Sequence, residues 1–492
     1  MTRTLITGRY VIGFDGQGHV IIPDGEVVFE DDTIIHVGFG YAESVDERID
    51  AGNAVVGPGF IDLDALADLD STVLGFDNAP GWRHGRVWAS TYVERGPREV
   101  YTPEEEDAKK HYAFTQLLLN GVTTALPITS LLYREWNETY AEFARAAAIG
   151  AELGIRLYLG PAYRTGASVV HPNGHLDIHW DVPRGMRGLE AAIEFVKDYE
   201  GYADGLIRGM LAPDRIECCT RELLESTALA ARDLACPVRL HCCQSLLELE
   251  AIHARFGCSS LSLLEDIGLL GQRVMLPHGI HLGGVQPTTK TIERDLDILV
   301  ENGSTLVHCP LVSARMGHFM NSFSKMRTRG INIGLGTDTF PPDMITNMHT
   351  GIMITRVVDG NETSCSAADY YNAVTLDGAA ALNRSDLGRL APGAKADITI
   401  FDLEGFHLGQ LIDPIQTMVM SGSGRDFSRV IVNGKTVVKD RKISGVNFQY
   451  LANQAQDQFD RLRASYPERT HLHPLEQEIF NSSFPIAYLE KK

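Results

Sequence analysis

The chain has 492 residues, with 44 Lys+Arg against 64 Asp+Glu and a formal charge of −20. At 44% hydrophobic and 22% charged it is ordinary globular material, long enough to bury a large core. The acidic balance argues against nucleic acid or an anionic membrane surface as the main partner, and no stretch approaches the ~20 apolar residues that span a bilayer.

Residues 1–57 read as short strands joined by tight turns. TLITGRYVIGF is followed by DGQG, HVIIP, DG and EVVFEDDTIIHVGFG, and Asp-Gly between alternating apolar runs is a hairpin signal. From residue 58 the pattern changes to eight short apolar runs alternating with helical stretches. The runs are 59–64, 121–127, 155–162, 207–213, 237–243, 273–279, 304–310 and 332–338. Between them, segments such as 141–154, 221–235 and 291–303 repeat apolar residues every three or four positions, the helix period. Near-continuous apolar strands suit a parallel sheet covered on both faces. Eight strand–helix repeats predict an α/β fold, a (β/α)8 TIM barrel over 58–389, with its site where the strands end. A doubly wound open sheet is the alternative.

After a last barrel helix at 367–383, strand signals return, with Asn433-Gly434 marking a turn. Residues 390–445 are expected to join 1–57 in a discontinuous β-sandwich domain. Residues 446–492 read as a polar helical tail.

Chemistry collects at the predicted strand ends. The fifth carries His241, the sixth His278, the seventh His308 and the eighth Asp338. In a parallel barrel these ends share one mouth, and imidazole with carboxylate suits a borderline divalent metal. A histidine taken singly reads as a satisfied core residue; four ligand-type side chains at matching ends read as a site.

The motifs VVGPGFIDLD, MLAPDRIECCTRELL, VRLHCCQSLLELEAI, LPHGIHL, LVHCPLVSARM, GLGTD and GRLAPGAKADITIFD resemble the amidohydrolase superfamily, in its branch of cytosine/adenosine-deaminase-like and triazine-hydrolase-like enzymes. The resemblance runs to about residue 440. It implies a metal-activated water attacking an sp2 carbon of a small heteroaromatic or amide-like molecule and expelling an amine, alcohol or halide. It implies that His241 is a metal ligand and that Asp338 is a ligand and general base. His278 would bond the attacking water or the metal, and His308 would line the substrate pocket. A homo-oligomer is also implied.

Two departures stand out. The family's first strand ends in a His-x-His pair; here PGFIDLDALADLDS has no histidine. One alignment puts Asp64 and Leu66 at those positions, and a two-residue shift puts Leu66 and Asp68 there. The expected cofactor is therefore one divalent ion (Zn, Fe or Mn) held by His241, His278, Asp338 and Asp64 or Asp68, with a metal-free site left open. The second departure is Gln244, where the deaminase branch has a proton-donating glutamate. Gln donates a hydrogen bond but delivers no proton, which favours a leaving group better than an amine.

Tyr163 and Arg164 after the third strand are expected to bind substrate, with Asp214 and Arg215 after the fourth as further candidates. His281 and His318 are weaker candidates. His171, His175 and His179 fall in a segment, 164–187, that reads as a long irregular loop over the mouth. A barrel enzyme of altered chemistry using His278 and Asp338, and a non-catalytic binding protein, are the rival readings. The start of the chain carries no signal-peptide pattern. The eight cysteines lack the spacing of a disulfide framework or a C-x-x-C zinc site, so a reducing cytoplasm is the expected location.

Overall fold

The computed structural model describes residues 2–68, 88–96, 100–128 and 138–487. With strands numbered in chain order, β8 (Phe60–Leu66), β10 (Val122–Ile128), β11 (Arg156–Leu159) and β14 (Ile207–Gly209) form one parallel sheet. A second contains β15 (Val238–Arg239), β16 (Val274–Pro277), β17 (Thr305–His308) and β18 (Ile333–Leu335). A parallel bridge between Leu211 and Val238 joins them at one seam. At the other, the Asp338 N–H donates to the Asp64 carbonyl at 2.8 Å. The eight strands form the (β/α)8 barrel, and each begins within one residue of its expected start.

The strands are buried along nearly their whole length, which is why their sequences lack a two-residue alternation. The intervening helices are bounded by local chemistry. Thr139 caps Tyr140–Leu153, Thr220 caps Arg221–Leu234 and Thr288 caps Thr289–Asn302, each through its side-chain oxygen. Gly154 and Gly303 end the first and third in the left-handed conformation. The expected last barrel helix is two helices, Ala367–Val374 and Leu376–Ala381. They break at Thr375, whose hydroxyl turns back to the Tyr371 carbonyl.

Both chain ends meet in one six-stranded sheet. It runs β21 (Lys435–Lys439), β20 (Phe427–Val432), β19 (Ile398–Asp402), β7 (Ala54–Pro58), β2 (Tyr10–Phe14), β3 (His19–Pro23), with β19 antiparallel to β7. Asn433 (φ 50°) and Gly434 (φ 75°) make the tight turn between β20 and β21. A four-stranded sheet runs β5 (Thr33–Gly38), β4 (Glu26–Glu30), β1 (Arg3–Thr7), β6 (Glu47–Asp50). Asp24-Gly25 does not close a hairpin. It crosses between sheets, because β3 pairs with β2 while β4 pairs with β1 and β5. The dipeptide encodes a left-handed turn (Asp24 φ 51°) but not the partner of the next strand. Arg156 fastens the barrel to this region through a buried two-point pair with Asp397, at 3.0 and 3.1 Å.

The segment expected as an irregular loop is an antiparallel hairpin, β12 (Gly166–Val170) with β13 (Leu176–Trp180), extended by β9 (Trp88–Ala89). Pro172-Asn173-Gly174, hostile to a helix, is its turn. The C-terminal helix Phe448–Arg469 lies against the barrel flank, where the Gln458 carbonyl accepts the Tyr101 hydroxyl at 3.0 Å. No described helix is long and apolar enough to cross a membrane.

Candidate active site

Asp64 near the end of β8, His241 after β15 and His278 after β16 bring ligand atoms within 4.8 Å of one another, all buried. His278 also belongs to a second such group with Cys309 and Asp338, so the two form one continuous patch at the barrel mouth. His278 Nε2 lies 3.8 Å from Asp338 Oδ2, and His241 Nε2 lies 3.7 Å from Asp64 Oδ1. The two imidazoles stack with centroids 5.4 Å apart.

The supports of these groups are specific. His241 Nδ1 is 2.6 Å from the Asp214 carbonyl, to which it donates. That fixes the proton on Nδ1 and turns the Nε2 lone pair toward Asp64, the usual arrangement behind a metal-ligating imidazole. Asp214 is held in turn by Arg164 at 3.0 Å. Asp64 is brought close by Gly336, where a Cβ would stand 2.5 Å from the Asp64 Cβ. Next to it, Asp62 accepts from the Thr337 N–H (3.0 Å), the Thr337 hydroxyl (2.6 Å) and the Asp64 N–H (3.1 Å). His278 (φ 84°) and Asp338 (φ 41°) both adopt left-handed backbone conformations, a strain of the kind that collects at functional sites.

Burial dominates the electrostatics. It pushes the Asp64 carboxyl up to about 6, against the pull of the Arg239 guanidinium, and Asp62 up to about 6. It lowers His241 and His278 well below the ordinary imidazole value, and His308 to about 3. Three neutral imidazoles are what metal ligation or hydrogen bonding to water needs.

Asp64 Oδ1 and His278 Nε2 are buried with no hydrogen-bond partner among the described residues. Arg239 Nη1 stands 3.4 Å from that same Asp64 oxygen, beyond a normal hydrogen bond, so the lone pair stays open. These two atoms, with His241 Nε2 and Asp338, fit a divalent ion. When bound, such an ion lowers the pKa of a water toward ~7 and polarises the substrate.

The other expected site residues fall differently. Asp68 is absent from both ligand groups and lies 3.4 Å from Lys109 Nζ; of the two alignments, only the one through Asp64 reaches the cluster. Tyr163 points into the core rather than the mouth. It is fully buried with its hydroxyl 3.0 Å from Thr227, inside helix Arg221–Leu234, because a residue just past a barrel strand faces the helix layer as readily as the lumen. Arg164 is buried behind Asp214, to which its guanidinium donates. His308 is buried beside the Phe323 and Tyr370 rings, at 6.0 and 6.2 Å. Arg215 donates to Gln244 Oε1, leaving the Gln244 amide N–H groups as donors. His171 pairs with Asp177 at 3.2 Å on the hairpin, and His281 pairs with the His318 ring at 5.8 Å.

Three residues escaped sequence reading. Arg239 is a charge inside a buried two-residue strand, a visible signal passed over because its partner lies 175 positions away. Cys309 looked like one more thiol. Glu248 accepts from the Cys243 and Gln244 N–H groups at 2.6 and 2.8 Å and from the Ser260 hydroxyl at 2.6 Å, pinning the loop that carries Gln244. All eight cysteines are free thiols.

Barrel and cluster together define a hydrolase of the kind that activates water at a metal-capable centre. The chain belongs to the amidohydrolase family: residues 56–437 match its model. Its reaction class is hydrolysis at an sp2 carbon, on carbon–nitrogen bonds. It is 27% identical over 471 residues to a 5'-deoxyadenosine deaminase of Methanosarcina barkeri, covering 94% of this chain and 99% of that one. It is 24% identical to a 5-methylthioadenosine/S-adenosylhomocysteine deaminase of Natronomonas pharaonis, covering 93% and 97%. In fold it is similar to the zinc complex of atrazine chlorohydrolase from Arthrobacter aurescens, with TM-score 0.75, 21% identity and coverage of 92% and 99%. A zinc-bound adenosine deaminase from Xanthomonas campestris gives TM-score 0.74 at 19% identity, with coverage of 94% and 99%.

Proposed function

We propose that the protein hydrolyses a substituent from a small nitrogen heteroaromatic ring of purine or triazine type, at a centre of one divalent ion. The observation that carries this reading is the convergence of Asp64, His241, His278 and Asp338, with buried acceptor atoms left open among them. Asp338, partly exposed at the mouth, takes the proton of the attacking water. His278, neutral and with Nε2 3.8 Å from Asp338, is a ligand of the divalent ion beside His241 and Asp64. The deaminases of purine nucleosides among the relatives support a ring of that size.

Gln244 sets the leaving group. With its carbonyl engaged by Arg215, its amide donates a hydrogen bond to a ring nitrogen or departing atom but transfers no proton. A halide, thiolate or alkoxide tolerates this better than an amine. A homo-oligomer in the cytoplasm, acting on a small molecule, completes the reading by resemblance and by the reduced thiols.

The test is a matched pair on one ring, adenosine against 6-chloropurine riboside, assayed for ammonia and chloride release by the zinc-, iron- or manganese-loaded protein. Chloride release exceeding ammonia release by at least about tenfold is expected. Ammonia release as fast as chloride release overturns the leaving-group assignment, and no turnover of either substrate by metal-loaded protein overturns the purine-type reading.

A further inference from the structure

The first strand carries no histidine, and Leu66 stands at one of the positions of the family's His-x-His pair. The structure offers a replacement from a different strand. Cys309, directly after β17, is fully buried. Its Sγ lies 3.6 Å from Asp64 Oδ2, to which the thiol donates, and within 4.8 Å of ligand atoms of His278 and Asp338. Asp64 Oδ1 and His278 Nε2 are also buried with no hydrogen-bond partner among the described residues. The thiol therefore faces the same small volume as the open lone pairs.

We propose that Cys309 is a metal ligand, its thiolate occupying the donor place that the missing His-x-His pair vacates. The inference rests on the reading of this mouth as a metal centre. On binding, the S–H bond breaks and a metal–sulfur bond forms. The proton leaves through Asp64 Oδ2, its hydrogen-bond acceptor, to buffer, as metal binding to thiols generally requires. Asp64 Oδ1 stays directed at His241. A donor set of two imidazoles, carboxylate oxygen and one thiolate selects Zn2+ or Fe2+ over Mn2+, because the soft sulfur discriminates against hard ions. The remaining thiols near the mouth are placed otherwise. Cys242 and Cys243 lie 3.6 Å from each other beside Glu248, whose oxygens are already taken by three donors.

The experiment is zinc K-edge X-ray absorption on the full-length zinc-loaded protein, with visible and near-ultraviolet spectra of the cobalt-loaded form. One sulfur scatterer at about 2.3 Å is expected, together with a thiolate-to-cobalt charge-transfer band. That band disappears in Cys309→Ala and survives in the Cys242→Ala/Cys243→Ala double variant. Stoichiometric metal with only nitrogen and oxygen neighbours overturns the proposal and leaves the metal centre standing. A band that persists in Cys309→Ala overturns it as well. Protein that takes up neither ion sinks the inference and the metal reading together. The absorption experiment needs no variant, so a folding failure of Cys309→Ala does not spare the proposal.

Discussion

Replacing Arg239 with methionine keeps most of the apolar stem and removes the charge beside Asp64. Two things are lost in metal-stripped protein. The Leu126 carbonyl loses the Nη1 donor 2.5 Å away, which costs about 1–3 kcal/mol for a buried acceptor. The Asp64 carboxylate loses the one cation within ion-pair distance of it among the described residues, at 3.4 Å, other than the neutral His241. With Arg239 present, burial holds the Asp64 carboxyl at about 6, above its ordinary 3.8. A raised native value means that the native state binds more protons than the unfolded state in that interval. The associated stability is thus complete at low pH and is lost as pH rises through the native value. Without the guanidinium, the native value moves higher still, so the loss continues upward. Each further pH unit above ~6 costs the variant about 1.4 kcal/mol relative to wild type until its own titration point is passed. The penalty is therefore about 1–3 kcal/mol near pH 5.5 and grows as pH rises above ~6, toward the ~3–5 kcal/mol found when one partner of a buried ion pair is removed. Urea unfolding of chelator-treated wild type and Arg239→Met at pH 5.5 and pH 8 measures it. A penalty that is the same at both, or below about 1 kcal/mol at pH 8, refutes the role assigned to the pair.

Asp338→Asn is expected to lower kcat/KM by about 10²–10⁴ with unchanged circular dichroism, measured on the faster substrate of the matched pair. Asp68→Ala, which touches Lys109 rather than the cluster, should leave metal content unchanged by elemental analysis, whereas Asp64→Ala should reduce it; equal losses would contradict the placement. Tyr163→Phe removes one buried hydroxyl contact with Thr227. It should cost about 0.5–1.5 kcal/mol in urea unfolding while leaving KM unaltered, and a KM change would put the side chain back in the pocket. Gly336→Ala forces a Cβ against Asp64, so metal affinity by isothermal titration should fall even where the variant folds.

The barrel was legible because its signal is periodic and local. Each of the eight apolar runs needs only its own residues to be read, and the helices between them carry their own caps at Thr139, Thr220 and Thr288. Strand-end reasoning then placed His241, His278 and Asp338 together without any contact information. What stayed hidden depends on rotation about a strand or on distant partners. Tyr163 and Arg164 are adjacent, yet one enters the helix layer and the other reaches Asp214. Choosing Asp64 over Asp68 needed the backbone bond from Asp338 to Asp64, which no local pattern encodes. The histidine-rich hairpin was misread because only one of its strands, Leu176–Trp180, alternates apolar and polar residues, while its partner Gly166–Val170 does not.

The charge balance of the centre explains how a barrel without the first-strand histidines keeps the family's chemistry within reach. Replacing a neutral imidazole with the Asp64 carboxylate adds one negative charge to the ligand set, which would donate more strongly to a bound cation and weaken its acidity toward water. Arg239, buried in the next sheet and aimed at the same oxygen, returns one positive charge within a few ångströms. A cation bound there would therefore sit in a field close to that of a neutral ligand set. The reading assigns Asp64 and Arg239 to one functional unit. A single substitution of either should perturb metal affinity more than the double Asp64→Asn/Arg239→Met, which restores neutrality. A double-mutant cycle on zinc affinity reads that coupling, and strictly additive effects would show that the two residues act independently.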